Sequence, residues 1–133
     1  MRIMIDTNII ISTLLTPEGA VSNLLKKIIQ AHTICLCAFT IEELQMVFKR
    51  KFPSQLPILD TFLGELSFEL LYTPAVWPRN MPKLRDKHDN PILASAIVGD
   101  VDYLLTGDKD FINASIERPQ IVTPQTWPET LAG

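Results

Sequence analysis

Short apolar runs alternate along this chain with longer stretches whose apolar residues recur every three or four positions. Arg2–Ile5, Thr33–Cys37, Tyr103–Thr106 and Ile121–Val122 read as strands, and a further short strand is expected near Glu69–Tyr72. Between them, Val21, Leu24, Leu25, Ile28 and Ile29 follow helical spacing, as do Ile41, Leu44, Val47 and Phe48. Strands separated by helices predict a parallel sheet covered on both faces. The expected fold is therefore α/β, with residues 1–133 forming one domain.

The remaining boundaries come from turn and cap chemistry. Asp6-Thr7-Asn8 closes the first strand, and Ile9–Leu15 reads as a short buried helix ended by Thr16-Pro17-Glu18-Gly19. Thr40-Ile41-Glu42-Glu43 has capping-box spacing and predicts a helix from Thr40 to the basic run Lys49-Arg50-Lys51. Leu56, Leu59, Phe62, Leu63, Leu66 and Leu70 give another helical stripe, with Pro57 tolerated in its first turn. Thr73–Asp89 carries Pro74, Pro78 and Pro82 and reads as a long irregular connection. Asn90-Pro91 predicts an N-cap and first residue of a helix reaching Gly99. Pro124–Leu131 is expected to form a last helical turn or two.

Acidic residues fall where such a sheet binds ligands, beyond the carboxyl ends of its strands. Asp6 directly follows the first strand, and Asp108 and Asp110 follow Tyr103–Thr106 across one glycine. Asp86 and Asp89 precede a helix leading into that strand, and Glu42 and Glu43 open the helix after Thr33–Cys37. Two unit charges 4 Å apart repel by about 4 kcal/mol at an effective dielectric of 20. Carboxylates so gathered protonate, separate or bind a cation, and an all-oxygen donor set suits Mg²⁺ or Mn²⁺. Individually each acid also has a plain role: Asp6 as a helix cap, Glu43 as a capping-box partner, Asp86 paired with Arg85 or Lys87. On these residues alone the substrate stays open.

Composition narrows the classes. The net charge is −3, with 47% hydrophobic and 20% charged residues, which argues for a globular chain and against binding of nucleic acid or membrane by bulk positive charge. Cys35 and Cys37 are expected on one face of a strand as buried small hydrophobes; no second ligand pair exists for zinc. Asp6, Thr7 and Asn8 interrupt the apolar N-terminus, so neither a signal peptide nor a membrane span is expected, and the chain reads as cytoplasmic.

Ile5-Asp6-Thr7-Asn8, Glu43-Leu44, Asp86-Lys87-His88-Asp89-Asn90 and Leu105-Thr106-Gly107-Asp108-Lys109-Asp110-Phe111, in this order, resemble the PIN-domain ribonucleases. The branch they resemble is the VapC-like toxin components of prokaryotic toxin–antitoxin pairs. That resemblance implies a three-layer α/β/α sandwich, Rossmann-like, with a roughly five-stranded parallel sheet. It implies Mg²⁺- or Mn²⁺-dependent hydrolysis of RNA phosphodiester bonds by metal-activated water. Carried over, Asp6, Glu43, Asp89 and Asp108 would be the catalytic and metal-binding acids, with Glu43 favoured over Glu42 by its pairing with Leu44. Thr7, Asn8, Asp86, Thr106 and Asp110 would be auxiliary. An antitoxin partner and a homodimer are also implied. The segment Ala75–Met81, with Trp77 and Asn80, has no counterpart in this pattern.

An acidic ribonuclease still has to hold a polyanion. Arg79, Lys83 and Arg85 line the irregular connection and are candidate RNA-binding residues. A non-catalytic RNA- or partner-binding module on the same fold is the main alternative. A receiver-type signalling domain would need an acceptor aspartate at a middle strand end, and Thr33–Cys37 is followed by Ala38-Phe39 instead. An aspartyl-nucleophile phosphohydrolase would need a second acid where Asn8 stands, and no phosphate-binding glycine–lysine loop occurs.

Overall fold

The computed structural model describes residues 1–128. Five strands, β1 (Arg2–Ile5), β2 (Thr33–Cys37), β3 (Phe68–Leu71), β4 (Tyr103–Leu105) and β5 (Gln120–Val122), form one sheet in the order β3-β2-β1-β4-β5. Every pairing is parallel, as the strand–helix alternation predicts. The helices are α1 (Thr7–Leu15), α2 (Ala20–Ala31), α3 (Ala38–Lys51), α4 (Leu56–Glu65), α5 (Asp89–Val98) and α6 (Lys109–Asn113), with a 3₁₀ turn at Pro53–Gln55. No helix among the described residues is long and apolar enough to cross a membrane.

Side-chain alternation along the strands builds two cores. Ile3, Ile5, Ile34, Leu36 and Leu105 face one side and pack with residues of α1–α4, including Leu25, Ile28, Leu44, Phe48 and Leu59. Met4, Cys35, Cys37 and Leu104 face the other and pack with α5 and α6 through Ile92, Leu93, Ala96 and Phe111. This is the α/β/α sandwich expected from the sequence. The two cysteines share a face, are free, and are buried.

Several boundaries differ from those the sequence predicts. Helix α3 begins at Ala38, with Cys37 at its N-cap position and no side-chain cap, so Thr40 lies inside its first turn and forms no capping box with Glu43. The strand end feeds straight into the helix, and the buried Thr40 hydroxyl bonds to Thr7 and Cys37 instead. Helix α5 begins at Asp89 after His88, not at Pro91 after an Asn90 cap. Asn90 is buried there, and its Oδ1 accepts the Leu84 N–H at 2.9 Å, which ties down the irregular connection. The stripe from Leu56 to Leu70 divides: α4 stops at Glu65, and Leu70 belongs to the edge strand β3. A turn covers 124–126, while the rest of the expected terminal helix, 129–131, lies outside the described residues.

Candidate metal centre

Sheet register places the first two groups. Ile5 pairs with Leu105, so the residues that follow them, Asp6 and Thr106, stand side by side at the carboxyl edge. The ladder continues into both: Asp6 N–H donates to Leu105 O at 3.0 Å, and Thr106 N–H to Val122 O at 2.9 Å. The chain leaves β1 toward one side of the sheet and β4 toward the other, which opens a crevice between them.

Asp6 caps α1 and is 3% exposed. Its Oδ1 accepts the Thr7 N–H at 2.7 Å and its Oδ2 accepts the Thr106 hydroxyl at 2.6 Å. Burial pushes its carboxyl up to about 6; the Asp108 and Glu43 charges add to the rise, and the two hydrogen bonds oppose it. The Thr106 hydroxyl is shared, accepting the Asp108 N–H at 3.0 Å. Asp108 in turn caps α6, its Oδ1 accepting the Asp110 N–H at 2.9 Å.

Asp89 reaches the same place from the first turn of α5. It is 7% exposed, and its Oδ2 is buried with no hydrogen-bond partner among the described residues. Burial pushes its carboxyl up to about 8, helped by the adjoining Asp108 carboxylate and by the charges of Asp6 and Asp86. Asp89, Asp108 and Asp110 each offer a carboxylate oxygen, all lying within 4.8 Å of one another. A buried, bare carboxylate oxygen is costly unless something electropositive meets it. The donors present fit a hard divalent cation such as Mg²⁺ or Mn²⁺.

The other predicted residues divide around this cluster. Glu43 is half-buried on α3, and its charge is felt at Asp6; Glu42 is exposed. Thr7 is buried, with its hydroxyl on Thr40 at 3.3 Å. Asn8 is exposed and lines a cleft with Asp108 and Gly107. Asp86 is exposed; its Oδ1 accepts the His88 N–H at 3.0 Å, so it shapes the turn before α5 and forms no ion pair with Arg85 or Lys87. Asp110 is bridged by Arg85 Nη2 at 3.2 Å. Lys83 and Arg85 line one groove with Asp110 and Asn113, whereas Arg79 lines a different one with Arg118 and Glu117.

Two supporting residues escape the sequence reading. Thr40, fully buried, holds the Thr7 hydroxyl, and Asn90 anchors Leu84 beside the acids. For Thr40, local sequence pointed to a cap, and only the approach of α1 to α3 reveals its bond to Thr7. For Asn90, local sequence pointed to a cap, and only the path of the connection reveals the tie.

Similar folds occur in the crystal structure of VapBC2 from Rickettsia felis bound to a DNA fragment from their promoter, at 24% identity and a TM-score of 0.71, covering 96% of this chain and 100% of that one. They occur also in FitAcB from Neisseria gonorrhoeae, at 20% identity and 0.65, covering 94% and 99%. A third is FitAB bound to an IR36 DNA fragment, at 20% and 0.63, covering 96% and 98%. No curated sequence matches the chain. The PIN domain family model matches residues 2–110, a span that runs from β1 through the whole acidic cluster. The chain belongs to the PIN domain family.

Proposed function

We propose that this protein is a divalent-metal-dependent ribonuclease and the toxin component of a toxin–antitoxin pair, with residues 1–133 acting as one catalytic unit. The observation that carries the catalytic reading is the bare, buried Asp89 Oδ2 within a set of convergent carboxylates. Membership of the PIN domain family supports nuclease chemistry, and the fold likeness to chains of the VapBC2 and FitAB assemblies supports the pairing with an antitoxin. The RNA substrate, a homodimer and a cytoplasmic setting belong to the same reading.

Asp6, Glu43, Asp89 and Asp108 would hold Mg²⁺ or Mn²⁺, with Asp110 at the rim. Bound there, the cation supplies Lewis-acid activation of water and neutralises charge on the scissile phosphate. The protein's own task is orientation. Thr106 and the Thr7 N–H fix both oxygens of Asp6, so the carboxylate is set before the cation arrives. The Asp110 N–H fixes Asp108 in the same way. Lys83 and Arg85 flank the acids and would hold the phosphate backbone, Arg85 being 88% exposed at its side chain and free to swing from Asp110.

The test compares cleavage of an end-labelled mixed RNA by wild type and Asp6→Asn, with Mn²⁺, Mg²⁺ or EDTA. Metal-dependent cleavage leaving 5′-phosphate and 3′-hydroxyl ends, lost in the variant, is the expected result. Folded wild type that binds RNA but never cleaves it would favour the non-catalytic module.

A further inference from the structure

Beside the acids, helix α3 presents Phe39, Glu42, Glu43 and Met46 on one face, spaced i, i+3, i+4 and i+7. With His88 from the irregular connection they line a cavity of about 200 Å³. Its wall is mostly apolar, Met46 being 58% exposed and Phe39 half-buried. Neither Glu42 nor Met46 serves the acid cluster or the core. One wall is Glu43, itself among the proposed metal-binding acids, and another is His88, which directly precedes Asp89, so the cavity adjoins the proposed catalytic site.

We infer that this cavity seats an unstacked nucleobase next to the scissile phosphate, and that Glu42 selects a base carrying an exocyclic amino group. The inference rests on the ribonuclease reading of the adjoining site. Single-stranded RNA is read by splaying bases onto aromatic and apolar side chains, and Phe39, Met46 and the His88 ring supply that surface. The carboxylate of Glu42, outside the metal-binding set, turns phosphate away from the cavity. A carboxylate accepts from an amino group such as cytosine N4, while uracil offers only a carbonyl oxygen at that position, which the carboxylate does not bind. A second copy of this protein is the competing occupant, and the test separates the two.

Binding of fluorescent oligocytidine and oligouridine is measured by anisotropy in EDTA, and cleavage of the same oligonucleotides is measured in Mn²⁺. Wild type should favour oligocytidine by about tenfold, the scale of one base-specific contact. Glu42→Gln, whose amide both donates and accepts, should bring the two within about twofold without weakening oligouridine binding. Met46→Ala, at an exposed position, should weaken both oligonucleotides and keep their ratio. Equal binding by wild type, or a preference that survives Glu42→Gln, overturns the inference. So does a Met46→Glu variant that turns a sedimenting dimer into monomer with the base preference unchanged. If the preference holds in binding and no cleavage occurs, the base pocket stands and the ribonuclease reading fails. Cleavage blind to both variants has the opposite meaning.

Discussion

The Thr106 hydroxyl donates to Asp6 Oδ2 at 2.6 Å and accepts the Asp108 N–H at 3.0 Å, so one side chain sets two acids that lie far apart in sequence. Thr106→Val keeps the shape and removes both bonds. The expected consequence is 10- to 100-fold weaker Mn²⁺ affinity, the usual scale for removing a group that orients a ligand. Thr106→Ser restores most of it. Titration calorimetry on the three proteins checks this, and unchanged affinity in the valine variant would remove Thr106 from the site.

Stability of the metal-free protein should fall as pH rises. Asp6 and Asp89 are pushed up to about 6 and about 8 in the fold, both above an unfolded aspartate. The native state therefore binds protons more tightly than the unfolded chain. The stability linked to these protons is fully present below about pH 4 and is lost as pH climbs through both folded values. Thermal unfolding in EDTA should show the melting temperature dropping across this window. Asp89→Asn should flatten the drop, and added Mn²⁺ should reverse it by favouring the ionised forms.

Two glycines should respond to alanine with opposite signs. At Gly99 a Cβ would sit 2.8 Å from Leu71 Cδ1 and 2.9 Å from the Ser95 carbonyl, wedging the end of α5 off β3. The expected cost is about 1–3 kcal/mol. At Gly64, inside α4, a Cβ would meet nothing within 4 Å. There alanine should stabilise by about 0.5–1 kcal/mol through helix propensity. Urea denaturation of the two variants measures both.

Removing positive charge should affect RNA binding unevenly. Lys83 and Arg85 share a groove with Asp110, while Arg79 lies in another with Glu117 and Arg118. Lys83→Ala and Arg85→Ala should each lower the slope of log affinity against log salt by about 0.7 on single-stranded RNA, and Arg79→Ala should leave it unchanged. Binding measured at several salt concentrations distinguishes these. Equal effects of all three would mean a backbone track along the whole connection.

The residues themselves determined the strand–helix alternation, hence the parallel sheet, because apolar periodicity is a local property that tertiary packing had no reason to override. They determined too that Asp6 and Asp108 stand at strand ends. Which of Glu42 and Glu43 is the more buried was a question of helix phase, and that phase was decided when α3 began at Ala38 directly off β2, leaving Glu43 half-buried and Glu42 exposed. The capping box at Thr40 failed for the same reason: its hydroxyl was needed on Thr7 across the β1–β2 edge. Asn90 shows the limit most plainly. Its neighbours predict a cap, yet its carbonyl oxygen is drawn to Leu84 by the return path of an irregular connection. The tie between Asp6 and Thr106 rests on the pairing of Ile5 with Leu105, a register set by two strands separated by most of the chain. Local pattern fixes which residues can form an element; only the packed sheet fixes which elements stand side by side, and a site built from strand ends exists only after that choice.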